Sequence, residues 1–156
     1  MADDEVVEAL RIVASAGTLP LPAKPGAVAA AEEAIGFSLP PLLRRLYVEV
    51  ANGGFGAKEG ILGVGGGAAQ SNFADVAELY QDGSNPSGRI PVGLVLIYAW
   101  GCAIWSLFGF RDPGGAMWCN HEGECWPQGV NLAEWLTGTL AGTLTVETVL
   151  ESQPSS

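Results

Sequence analysis

The chain has 156 residues, of which 48% are hydrophobic and 15% charged; that is too much apolar side chain for a disordered polymer and enough to offset chain entropy in one packed domain. Seven Lys and Arg against 17 Asp and Glu leave a net charge of −10, which argues against a nucleic-acid surface, because such binding needs cations to displace phosphate counterions, and makes any charge-steered partner basic. Three cysteines make no disulfide framework, and the start MADDEVVEALRIV carries acids where a secretion signal has a cationic region, so a cytoplasmic chain with free thiols and no membrane segment is expected.

Asp3, Asp4 and Glu5 suit the positive end of a helix dipole, and Val6, Leu10 and Val13 share one helical face, so a first helix is expected over 3–16 with Gly17 as its stop. Three prolines in residues 18–26 make an extended connector. A second helix starts near Pro25, turns Val28, Ala31 and Ile35 inward and Glu32 and Glu33 to water, and stops at Gly36. The third follows Ser38-Leu39-Pro40-Pro41, since proline is tolerated in a first turn whose N–H groups lack partners. Its buried side is Leu39, Leu42, Leu43, Leu46, Tyr47 and Val50, with Arg45 and Glu49 outside and Asn52-Gly53-Gly54 as terminator. Beyond it a short strand over 61–64, a glycine loop over 65–67, a helix over 73–80 with Phe73, Val76, Ala77 and Tyr80 on one side, and a turn over 81–88 are expected.

Residues 90–110 hold no charge, and 21 such positions are long enough to span a bilayer. Gly93, Gly101, Gly109 and Pro91 interrupt the run, its β-branched and aromatic content suits strands, and Arg89 and Arg111 flank it without asymmetry. Two buried strands over 93–98 and 103–108 are therefore expected, then a turn over 112–115, a strand over 116–119 and a short one over 125–127. Asn131 caps a last helix over 131–141 with Leu132, Trp135, Leu136 and Leu140 inward, and the Thr- and Ser-rich tail 142–156, beyond a core of about 3–141, is expected to fray in part, at its extreme end. Helices first, strands clustered later and a closing helix predict a single α+β domain over 1–156, mainly an antiparallel sheet flanked by N-terminal helices and a C-terminal one.

Gly63-Val64-Gly65-Gly66-Gly67-Ala68 satisfies a loose dinucleotide-loop pattern, with Asp82 downstream. The strand before it is too short, too little chain follows for two βαβ halves, and no Gly-Lys-Ser/Thr is present, so a flexible loop and no nucleotide cofactor are expected. Cys119, His121 and Cys125, with Cys102 as a conceivable fourth, have the ligand types zinc prefers, but their spacing matches no common zinc module. The simpler reading is two small buried thiols on facing strands of a hairpin and no metal; a small zinc protein or enzyme is the alternative. His121 is the only histidine, and Glu122 and Glu124 suit a solvated hairpin tip, so no catalytic residue is assigned. Trp105 and Trp135 fit core positions, whereas Trp100, Trp118 and Trp126 suit either core or interface.

Residues 32–55, EEAIGFSLPPLLRRLYVEVANGGF, resemble the SMI1/KNR4 family of the SUKH superfamily through Leu39-Pro40, Leu46-Tyr47 and Asn52-Gly53-Gly54. Residues 98–118 look like the strand pair that follows in bacterial members, and 131–140 are similar to their closing helix. The resemblance implies an α+β protein-binding domain without catalysis, and for many bacterial members an immunity protein that neutralises a polymorphic toxin, often a nuclease; fungal members imply a regulatory or scaffold role instead. A basic toxin domain agrees with the charge of −10. On loop position alone, Asp112, Glu122, Glu124 and Trp126 are the expected contacts.

Overall fold

Pro25 and Pro41 each open a helix at the first position, where the missing N–H removes no intrahelical bond. The computed structural model describes residues 3–15, 19–56, 60–65, 93–101, 104–110, 116–121 and 124–154. Gly17, Gly66, Gly67, the expected helix over 73–80 and the expected turns over 81–88 and 112–115 lie outside these residues.

Helix α1 (Asp3–Ser15) buries Val6, Val7 and Leu10. Val13, expected inside, is 41% exposed. At about 100° per residue, Val7 and the partly buried Ala14 draw the centre of the apolar stripe away from it. Helix α2 (Pro25–Ile35) buries Val28, Ala31 and Ile35 and stops at Gly36, whose φ of +88° admits the left-handed turn. Glu32 does not point to water: its carboxylate accepts the Leu39 N–H at 2.8 Å and so ties α2 to the chain entering α3 (Pro41–Glu49). Leu39, Leu42, Leu43, Leu46, Tyr47 and Val50 are all buried, and α3 packs on both α1 and α2.

Strands β1 (Leu94–Gly101), β2 (Ile104–Gly109), β3 (Ala116–His121) and β4 (Glu124–Asn131) form a four-stranded antiparallel sheet in sequence order. The uncharged stretch thus folds back as paired strands, and no described helix is long and apolar enough to cross a membrane. Helix α4 (Leu132–Ala141) follows β4 directly through a reciprocal cap, in which Asn131 accepts the Glu134 N–H at 2.8 Å and Glu134 accepts the Asn131 N–H at 3.0 Å. It rests on β3 and β4 and reaches α1 and α3, so it joins the helical layer to the sheet. Leu132, Ala133, Trp135 and Leu136 are buried, whereas Leu140 in the last turn is 40% exposed. The result is the expected α+β architecture, with helices at both ends of the sheet.

The tail holds an element the sequence pattern does not announce: Thr145 and Thr148 form a second reciprocal cap and open helix α5 (Val146–Glu151), which buries Val149 completely. An apolar side chain every three to four residues and a satisfied N-terminus suffice to dock it.

Residues 61–64 are buried but form no strand. Their polar backbone is satisfied from two directions. The Leu62 N–H donates to Ile97 O on β1 at 2.8 Å, and the Tyr47 hydroxyl on α3 donates to Leu62 O at 2.6 Å. Asn52, itself buried, accepts the Val64 N–H at 2.8 Å and returns its amide to Val64 O at 3.2 Å. This close approach requires glycine: a Cβ on Gly63 would stand 2.3 Å from Asn52 O, and one on Gly60 2.2 Å from the Gly54 carbonyl carbon. Replacing Asn52 by Ala strands a buried donor and acceptor, and a loss of about 2–3 kcal/mol is expected. Urea unfolding of Asn52→Ala checks this; a midpoint equal to wild type contradicts it.

Candidate functional site

Of the expected contact residues and metal ligands, Cys119, His121, Glu124, Cys125 and Trp126 lie on the β3–β4 hairpin, and Cys102 lies outside the described residues. In an antiparallel ladder, directly paired residues share a face and successive residues alternate. Ser106, Cys119 and Trp126 pair across β2, β3 and β4 and therefore occupy one face; Trp105, Asn120 and Cys125 pair likewise and occupy the other. His121, paired with Glu124, stands on the Cys119 face. The three candidate ligands are thus divided between opposite faces: Cys119 and His121 on one, Cys125 on the other. Among the described residues no three His, Cys, Asp or Glu are gathered as a metal group. The alternation of the ladder is the physical reason, and it also prevents Cys119 and Cys125 from pairing with each other; both are free.

Cys119 lies at the bottom of a small apolar cluster with Ile104, Trp126 and Val149, separate from the main core. Its thiol donates to Gln128 Oε1 at 3.3 Å, and burial pushes it from an ordinary 9.0 up to about 12. A thiol held protonated in this way is the reverse of an activated nucleophile, which needs a cationic or dipolar neighbour to stabilise thiolate. Cys125 is shifted in the same direction, also by burial, and accepts a contact from the Asn120 amide at 3.6 Å.

Trp126 is not an exposed anchor. It is only 3% exposed, because α5 covers it, and its indole N–H donates to Ser152 Oγ just beyond that helix at 2.9 Å. Trp105 and Trp135 are core residues as expected. Trp100 and Trp118 are partly buried; Trp100 donates to the buried Ser106 hydroxyl at 2.8 Å and meets Tyr98 and Trp135 edge-on, with ring centroids 4.9 and 6.0 Å away. Glu124 is exposed at the start of β4, where its carboxylate accepts the Gln153 side-chain amide. Asp112 and Glu122 lie outside the described residues; in chain order one precedes β3 and the other follows it.

Charge is distributed unevenly. Arg45 bridges Asp4 at 2.7 Å and Glu49 at 3.1 Å, Arg11 bridges the same Glu49 at 3.0 Å and Glu8 at 3.5 Å, and Arg44 approaches Glu32 at 3.8 Å. The N-terminal helices therefore neutralise part of their own acidity by joining α1 to α3. After Arg111 the sequence has no Lys or Arg, while Asp112, Glu122, Glu124, Glu134, Glu147 and Glu151 remain. Glu124, Glu134, Glu147 and Glu151 are all exposed, and the Gln153–Glu124 bond sets the end of α5 beside the start of β4. That acid-only C-terminal region was readable from residue order alone.

The described surface includes two open grooves. One of about 520 Å³ lies along residues 21–24 beside Gly26, Ala27, Asn52 and Gly65, and one of about 270 Å³ lies where β3 and β4 lose register next to Ala116 and Gly129. Among their polar side chains, Asn52 is committed to Val64, and Asn131 and Glu134 to the helix cap. Comparisons with protein-family models, with curated proteins and with solved structures find no match.

The Cys119 shift makes stability pH-dependent. The folded chain holds this proton more tightly than the unfolded chain, so the contribution is complete below about pH 9 and is lost as pH rises from about 9 to about 12. Wild type is expected to lose up to about 1.4 kcal/mol per pH unit more than Cys119→Val in that window. Urea titrations of both proteins at about pH 8, 9.5 and 10.5 measure the difference, and identical slopes contradict it.

Proposed function

We propose that this chain is a non-enzymatic, cytoplasmic protein-binding domain of the SMI1/KNR4 type, an immunity protein that occludes a basic cognate toxin domain. The observation that carries the reading is the separation of charge: the arginines of α1 and α3 are engaged with neighbouring acids, whereas everything after Arg111 presents acids alone. A toxin that grips polyanionic nucleic acid has a cationic cleft, and an acidic surface competes for that cleft while steering the encounter.

The residues of the family resemblance support the reading in a second way. Leu39, Leu46 and Tyr47 are buried, and Asn52 and Gly53 shape the turn that follows α3, so the quoted signature occupies connected positions of one folding unit. These positions are structural, which suits a family whose members share a scaffold and differ in partner. The protonated Cys119, and the division of Cys119 and His121 from Cys125, favour contact over chemistry. Glu124, Glu147 and Glu151 are the proposed contacts, with Asp112 and Glu122 extending them along the chain. Trp126 enters only if α5 moves.

The test is co-expression with a candidate toxin encoded in the neighbourhood of this gene. Growth is restored by the wild-type chain, and unchanged toxicity despite soluble expression contradicts the proposal. Glu124→Lys/Glu147→Lys/Glu151→Lys should slow association at least about tenfold at low salt and flatten its salt dependence. Stopped-flow mixing reads this directly, and an unaltered rate removes these acids from the interface.

A further inference from the structure

We infer that α5 is a releasable strap: its undocking from the sheet, with the rest of the fold intact, uncovers a recess of Ile104, Cys119 and Trp126. The inference stands independently of the proposed partner.

Four observations carry it. First, the apolar cluster under α5 is separate from the main core, and Val149 is its only contribution from outside the sheet that is completely buried. Releasing α5 therefore leaves the main core closed. Second, α5 has six residues, below the length at which a helix holds itself together in water, so its helicity depends on docking. Third, alone among the described elements, α5 has no extensive backbone packing against another element; side chains hold it. Besides Val149 and the partly buried Val146 and Leu150, these are Ser152, which accepts the Trp126 indole N–H at 2.9 Å, and Gln153, which donates to exposed Glu124. Fourth, the chain between α4 and α5 is short, and α4 ends in its own left-handed cap at Gly142 (φ +76°), closed by the Thr143 and Leu144 amides on Gly138 O, so that α4 is terminated without help from α5.

Local opening of this kind is common where few apolar contacts secure a segment. Here the segment conceals two reporters, a thiol and an indole, both sealed when it is docked. Cys125, on the opposite face and packed with the main core, is an internal reference that strap release does not touch.

The experiment is site-resolved alkylation of the full-length protein with iodoacetamide at about pH 8, followed by peptide mass spectrometry. In wild type the Cys119 rate should stay nearly constant across sub-denaturing urea, because strap release exposes little surface, whereas a route through global unfolding rises with the full denaturant slope. Val149→Ala should raise the Cys119 rate at least about tenfold and Ser152→Ala by severalfold, with Cys125 unchanged in both. The inference is overturned if the wild-type Cys119 rate follows the global unfolding slope, if neither variant accelerates it, or if Cys119 and Cys125 accelerate together. The urea dependence of wild type decides the matter even where a variant fails to fold.

Discussion

The fold depends on an irregular piece of chain being buried without being a strand. Residues 61–64 lie between α3 and β1, and a buried backbone there is tolerable only if each of its polar groups is met. Tyr47 meets the Leu62 carbonyl, Ile97 the Leu62 amide, and Asn52 both polar groups of Val64. Glycines at 53, 60 and 63 let the two passes of backbone approach more closely than any side chain would allow. Through this segment the helical layer and the sheet become one body. The Asn-Gly-Gly sequence therefore does more than terminate a helix: it ends α3 and supplies one side of the clamp.

Once the layers are joined, the sheet fixes what its side chains can do. Alternation along β3 and β4 puts Cys119 beneath α5 and Cys125 on the reverse, so a cluster compact in sequence is divided in space. Burial then keeps Cys119 protonated, and the surface that remains is one of charge. The N-terminal helices engage their arginines with one another's acids, whereas the chain after Arg111 carries acids without any Lys or Arg. The proposed binding by electrostatic complementarity rests on that distribution.

Much of this was legible in the residues. The three N-terminal helices follow from apolar periodicity, with acids opening α1, proline opening α2 and α3 and Gly36 ending α2, and the strand pair follows from glycine interruptions in an uncharged run. The division of the cysteines was legible too, since a hairpin turning between His121 and Glu124 sets Cys119 opposite Trp126 and leaves Cys125 on the other face. The 61–64 segment was misjudged because a buried loop and a buried strand have the same apolar pattern; what separates them is the interlocking of Gly60 and Gly63 with residues 52–54, a tertiary fact. Helix α5 was missed because its signal is short: Thr145 and Thr148 at cap spacing, with Val146, Val149 and Leu150 behind them, resemble an ordinary polar tail. Trp126 could not be placed on the surface or beneath it until that helix was known.

Residue-resolved amide hydrogen exchange on the full chain tests the central constraint most directly. If 61–64 locks the two layers together, the Leu62 and Val64 amides exchange only by global unfolding, in the same slow class as the amides paired between β1 and β2. Exchange of these two amides in the fast class of exposed loops, while the strands remain protected, would show that helices and sheet are held together by something else.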